Sequence, residues 1–197
     1  MKEPARAPLQ YSEIARRYAE ENLNGRLLEH SRECAETAQK LARKFGADVE
    51  KTLAASYLHD IAKILSRKKL LAMAREMGMP DAEIDSCPPP VLHGPVGALI
   101  ARKELGIDDA EVLQAIEAHS TGCAGMCKVA KIVFVADYIE LTRTFPGASE
   151  LRSHGNVTLD ELTRAILSKK LRHLMDEGKI IDARAIALWN DLAMESR

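Results

Sequence analysis

The 197-residue chain has no apolar run long enough to span a bilayer, and Met1 to Gln10 show no hydrophobic core of a secretory leader. It also lacks an excess of either charge. With 28 basic and 29 acidic residues the formal net charge is −1, and the two signs are interspersed. Proteins that grip duplex nucleic acid usually carry a basic surplus to neutralise phosphates, so such a partner is not expected here. Short clusters such as Arg67-Lys68-Lys69 read as solvated helix faces. A small phosphorylated ligand stays compatible, since it needs only a few cations at one place.

Several catalytic signatures are missing too. There is no Gly-x-Gly-x-x-Gly and no Gly-x-Ser-x-Gly elbow. The run Gly122-Cys123-Ala124-Gly125-Met126-Cys127-Lys128 departs from a phosphate-binding loop in its spacing and in the residue that follows. Four cysteines, at 34, 87, 123 and 127, are expected to be reduced and partly buried in a cytoplasmic chain. Cys123 and Cys127 stand one helical turn apart, which is half of a zinc site without its other half, so buried thiols are the better reading. Nothing in the sequence orients Cys123 as a nucleophile toward His119.

What remains is a cytoplasmic, soluble, all-α chain. Apolar residues make up 46% and charged residues 29% of it, a balance suited to one globular domain. Periodicity and capping residues predict helices over 11–23, 26–45 (closed by Gly46), 49–65 (capped by Asp48) and 68–77. Cys87-Pro88-Pro89-Pro90 forces an extended link. Further helices are expected from Pro95 to Leu105, from Asp108 as cap to Ala118, and over 126–139, 158–177 and 182–194, with a break at Pro146-Gly147. Ile132 to Val135 has strand propensity but no credible partner strand.

The chemistry gathers on a few polar residues. Projected on a helix, Ser56, His59, Asp60 and Lys63 share one side, and Leu53, Ala54, Tyr57, Leu58, Ile61, Ile64 and Leu65 the other. The polar side is either a solvated face or a binding face. Asp137 lies in Ile132-Val133-Phe134-Val135-Ala136-Asp137-Tyr138-Ile139, apolar on nearly every side. A buried, unpaired carboxylate there would cost several kcal/mol, so it needs a salt bridge or a metal. His30 sits at the margin of the stripe Leu27, Cys34, Ala38, Leu41 and Phe45. His93 precedes Gly94-Pro95, and His119 ends a helix before Ser120-Thr121-Gly122. Imidazoles with carboxylates suit zinc, iron, manganese or nickel more than calcium or magnesium.

In this order, His30, His59-Asp60 and Asp137 resemble the H…HD…D signature of HD-domain phosphohydrolases. The words Leu58-His59-Asp60-Ile61-Ala62-Lys63, His93-Gly94-Pro95-Val96-Gly97-Ala98, His119-Ser120-Thr121-Gly122 and Ala136-Asp137-Tyr138-Ile139-Glu140, followed by Arg143 and Phe145-Pro146-Gly147, are similar to the YqeK-type symmetrical bis(5'-nucleosyl)-tetraphosphatases from about Leu27 to Leu192. The resemblance implies one HD helical bundle with a core over 26–145, a helix in 1–23, and C-terminal helices in 146–197 completing a nucleotide pocket. It implies a divalent transition metal, iron first, with manganese, cobalt or zinc as alternatives. His30, His59, Asp60 and Asp137 would hold one ion, and His93 and His119 a second ion or the phosphates.

The implied reaction splits diadenosine tetraphosphate into two ADP by a metal-bound hydroxide, oriented or deprotonated by Asp60, with Lys63 neutralising the transferred phosphoryl. Substrate contacts would come from Lys63, His93, His119, Ser120, Asp137, Arg143, Ile181, Asp182 and Arg184. A frequent Ile-His-Pro of the family stands here as Ile181-Asp182-Ala183. The alternatives are an HD nucleotidase or nucleoside-triphosphate hydrolase, and, in another class, a non-catalytic nucleotide- or partner-binding helical module. No membrane partner is expected, and a homodimer is left open.

Overall fold

The computed structural model describes residues 10–86, 91–153 and 157–195; the expected link at Cys87 to Pro90 and the first nine residues lie outside them. The described residues hold helices and no β-strand: α1 Tyr11–Asn22, α2 Gly25–Phe45, α3 Val49–Leu58, α4 Arg67–Glu76, α5 Asp81–Ser86, α6 His93–Leu105, α7 Ala110–Ala118, α8 Lys128–Ile139, α9 Pro146–Arg152, α10 Leu159–Asp176 and α11 Ala183–Glu195. Among the described residues, no helix is long and apolar enough to cross a membrane.

α8 is the axis of the bundle. Val129, Ala130, Ile132, Val133, Phe134, Val135 and Ala136 are all buried, because α2, α3, α7 and α10 pack around it. A helix apolar on every side must be surrounded, and this requirement outweighs the β-branched strand propensity of Ile132 to Val135. On α2 the buried face is small and polar, made of His30, Ser31, Cys34, Ala35, Ala38 and Ala42; the larger Leu27, Leu41 and Phe45 lie only partly buried at its edge.

Several ends follow local chemistry. Gly46 and Gly106 close α2 and α6 in the left-handed conformation. Asp48 caps α3, and Thr158 with Glu161 forms a reciprocal capping box on α10. Other expectations need correction. The cap of α7 is Asp109, which accepts from the amides of Glu111 and Val112, while Asp108 pairs with Arg102. Pro146 opens the short helix α9 rather than only breaking the chain. α5 was not anticipated.

The continuous helix expected over 49–65 also ends early, at Leu58, and resumes as a single 3-10 turn over Ile61–Ile64. Ile64, assigned to the apolar side, is 49% exposed, whereas Ser56, His59 and Asp60 are fully buried. The polar side of this segment faces the interior.

Close helix packing brings the two ends of the chain's centre together. A Cβ on Gly94 would lie 2.5 Å from the Glu117 carbonyl oxygen, and one on Gly97 would lie 3.2 Å from Ile116 Cγ2. The missing side chains let α6 press onto α7, which sets His93 against His119.

Candidate active site

Two histidines are delivered by helix ends. The last carbonyls of a helix lack partners, and His59, just past α3, donates its Nδ1–H to the Ser56 carbonyl at 2.7 Å. His119, just past α7, does the same to Ile116 at 2.7 Å. Each bond satisfies an orphaned carbonyl and fixes the tautomer, leaving the Nε2 lone pair aimed inward. His30 is oriented differently: its Nδ1 lies 3.0 Å from Oε1 of the fully buried Glu140.

The inward atoms converge. His30 Nε2 is 3.1 Å from His59 Nε2, and His93 Nε2 is 2.9 Å from His119 Nε2. Asp60 stands between the pairs, with φ −106° and ψ 7°, in the sparsely used bridge region where many active-site residues sit. Its Oδ2 is 3.5 Å and 3.6 Å from the first pair, and its Oδ1 is 3.3 Å from each Nε2 of the second. Asp137 Oδ1 closes the first group, 3.1 Å from His30 and 3.8 Å from His59.

Charge in the cluster follows from this geometry. Burial pushes the Asp60 carboxyl up, yet the facing imidazoles, His59 foremost, hold it well below the usual carboxylate range. Asp137 behaves alike, with burial opposed by His30 and His59. Burial lowers His59, but the carboxylates of Asp60 and Asp137 outweigh it and raise that imidazole overall. Burial depresses His119 to about 4, so it is neutral and able to ligate at neutral pH.

These residues fit a divalent metal. His30, His59 and Asp60 offer one group of donors within 4.8 Å of one another, and Asp60, His93 and His119 offer another. Asp60 Oδ1 is buried without a hydrogen-bond partner, and a cation would satisfy it. Facing Nε2 lone pairs about 3 Å apart repel unless a proton or a metal lies among them. Two thiols stand apart, Cys127 capping α8 by accepting from the Ala130 amide and Cys123 half-buried elsewhere, while Cys34 is fully buried near the cluster, where burial and the carboxylates of Asp137 and Asp60 push its thiol up.

The other anticipated residues fall in three places. Lys63 Nζ is 2.6 Å from Asp60 Oδ2, and Arg143 Nη2 is 2.7 Å from Asp137 Oδ1, so both cations touch the cluster through its carboxylates. Ser120 Oγ is 3.0 Å from His119 Nε2 and 3.3 Å from His93 Nε2. Beside Ser120 opens a cavity of about 440 Å³ between α10 and α11, walled by Leu167, Leu171, Leu174 and Ile180, and also lined by Asp182. Ile181 packs against the core instead, and Arg184, paired with Asp182 at 2.8 Å, lines a separate depression with Gln114 and Cys123.

Two contributors were not singled out from sequence. Glu140 was legible: it lies three residues after Asp137, just past the end of the same buried helix, where a second carboxylate needs a partner as much as the first. Lys170 of α10 lines the cavity and gave no signal, since Ser168-Lys169-Lys170 reads as a solvated face.

An all-helical bundle that gathers four histidines and two aspartates around a common centre is the arrangement of the HD domain, and the HD domain family matches residues 27–142. A symmetrical bis(5'-nucleosyl)-tetraphosphatase of Halalkalibacterium halodurans is 34% identical over 169 residues, covering 86% of this chain and 90% of that protein. Its counterpart in Staphylococcus aureus is 37% identical over 180 residues, covering 90% and 92%. Among solved structures, a predicted HD superfamily hydrolase of Clostridium acetobutylicum superposes with a TM-score of 0.86 at 32% identity, across 96% of this chain and 100% of that one. The chain belongs to the HD domain family, in the group of the symmetrical bis(5'-nucleosyl)-tetraphosphatases.

Proposed function

We propose that the chain hydrolyses diadenosine tetraphosphate symmetrically, giving two ADP, with a divalent metal held by His30, His59, Asp60 and Asp137 and a second ion or the phosphates met by His93 and His119. The observation that carries this reading is the convergence of inward Nε2 atoms on the unpartnered Asp60 Oδ1, next to an apolar cavity of nucleoside size. The donors are imidazole and carboxylate with no thiolate, which suits zinc, iron, manganese or nickel; the likeness to the family puts iron first, with manganese, cobalt or zinc as substitutes. When bound, such an ion lowers the pKa of water toward neutrality and neutralises charge on a phosphoanhydride oxygen.

The side chains divide the remaining work. Asp60 orients the attacking water through Oδ1, while Lys63 holds Oδ2. Partly exposed, Lys63 also offers positive charge to the transferred phosphoryl. Arg143, fixed by its bonds to the Asp137 side chain and carbonyl, presents its remaining face to the leaving ADP. Ser120 donates to a phosphate oxygen beside His93 and His119. Leu167, Leu171 and Leu174 exclude water around the nucleoside, and Asp182 closes that end. A cytoplasmic enzyme acting on soluble nucleotides suits a near-neutral chain without a spanning helix.

Offering the manganese-loaded protein diadenosine tetraphosphate, dAMP and dGTP in parallel, with chromatographic identification of products, tests the reading. ADP as the sole product of the tetraphosphate is expected. ATP with AMP, or a preference for dAMP or dGTP, would overturn it.

A further inference from the structure

The two cations that the motif offers to the polyphosphate are already engaged. Lys63 is bound to Asp60 and Arg143 to Asp137, each within 2.7 Å. Their charge mainly offsets that of the carboxylates, leaving little to balance a substrate with several negative charges. A further cation near the phosphates would supplement these two and the metal.

Lys170 has the right placement. It stands on α10, where Ile166, Leu167 and Leu171 pack inward toward α8. Its Nζ lies over the Phe134 ring of α8, 4.4 Å from the centroid, and its side chain lines the cavity that also holds Ser120 and Thr121. Among the described residues no carboxylate forms an ion pair with it. The ring face supports the ammonium weakly, while burial pushes its pKa down to about 8 against the opposing pull of Asp137.

Such a cation is unfavourable for the fold alone, since a methionine would fill the same space without desolvating a charge. The rest of the lining carries His173 and Lys179, the latter 3.7 Å from the exposed Glu177, against one lining acid, Asp182, whose carboxylate is taken by Arg184. The cavity thus joins apolar walls to a basic edge facing the metal cluster, which is chemistry for a phosphorylated, partly apolar ligand.

We propose that Lys170 is a phosphate-binding residue, whose ammonium meets an oxygen of the nucleotide entering this cavity and makes the site prefer phosphorylated over unphosphorylated nucleosides. The identity of the anion as a nucleotide phosphate rests on the hydrolase reading above; the cation's position does not.

Calorimetric titration of the metal-loaded protein with ADP and with adenosine, for the wild type, Lys170→Met and Lys170→Arg, tests this. Loss of one charge-assisted contact predicts ADP binding about tenfold weaker in Lys170→Met, with adenosine changed by less than about twofold. Lys170→Arg should recover most of the loss. KM for diadenosine tetraphosphate should rise with kcat nearly unchanged, metal content should stay the same, and the Tm of Lys170→Met should be equal or higher, because an unpaired charge has gone. Unchanged ADP affinity in Lys170→Met, or equal weakening of ADP and adenosine, would overturn the assignment. If the wild type fails to split the tetraphosphate yet the contrast between ADP and adenosine holds, the proposed reaction falls and the phosphate site stands.

Discussion

The two halves of the histidine cluster are built from different materials. The His30–His59 half is backed by acids: Asp137 touches both imidazoles and Glu140 holds His30 from behind, with Arg143 compensating their charge. The His93–His119 half meets the shared Asp60 and has a hydroxyl, Ser120, at its open side. The first half sits against the buried helix α8, whereas Ser120, beside the second, lines the cavity. Negative ligands hold a divalent ion more tightly than neutral ones. On the proposed reading, the first half would therefore anchor the metal and the second would adapt to substrate.

Asp60→Asn should break the comparison altogether. It removes the only charge common to both halves, so metal should leave both and hydrolysis should fall to background; elemental analysis showing either ion retained would mean that the halves are independent. Asp137→Ala strips the first half alone. Hydrolysis should vanish and the anchored metal be released, with far-ultraviolet circular dichroism still helical, and full activity with metal kept would reject its role. Glu140→Gln leaves every donor in place but weakens the hold on His30, so metal affinity should fall about 10–100-fold in a metal titration of activity. The smallest effect belongs to the second half: Ser120→Ala should raise KM by about two- to tenfold, the worth of one hydrogen bond, with metal content unchanged. A loss of metal in that variant would move the hydroxyl from the substrate to the metal.

Much of this site was legible in the sequence because its parts violate local expectation. Asp137 and Glu140 in an oily helix, and His59-Asp60 against an apolar face, are costly unless they meet something. Helix ends set by glycine or by a capping side chain, as at Gly46 and Asp48, were equally plain. The end of α3 was not, since no glycine or proline marks it. His59 ends the helix by taking the Ser56 carbonyl while its ring turns toward His30, and that partner lies 29 residues away. Choosing between Asp108 and Asp109 as cap needed the position of Arg102. Lys170 was illegible for the opposite reason, as lysines on amphipathic helices are ordinarily solvated, and only the Phe134 ring and the cavity distinguish it. The C-terminal expectations separated for the same lack of spatial information, with Asp182 at the cavity, Ile181 in the core and Arg184 turned to another depression.

The most direct test of the account is to strip the protein with a chelator and restore iron or manganese stepwise, following bound metal and the products formed from diadenosine tetraphosphate at each step. Activity absent from the stripped protein, rising with metal bound and yielding ADP alone, is the predicted result. Hydrolysis that persists without metal, or that is indifferent to its return, would contradict it.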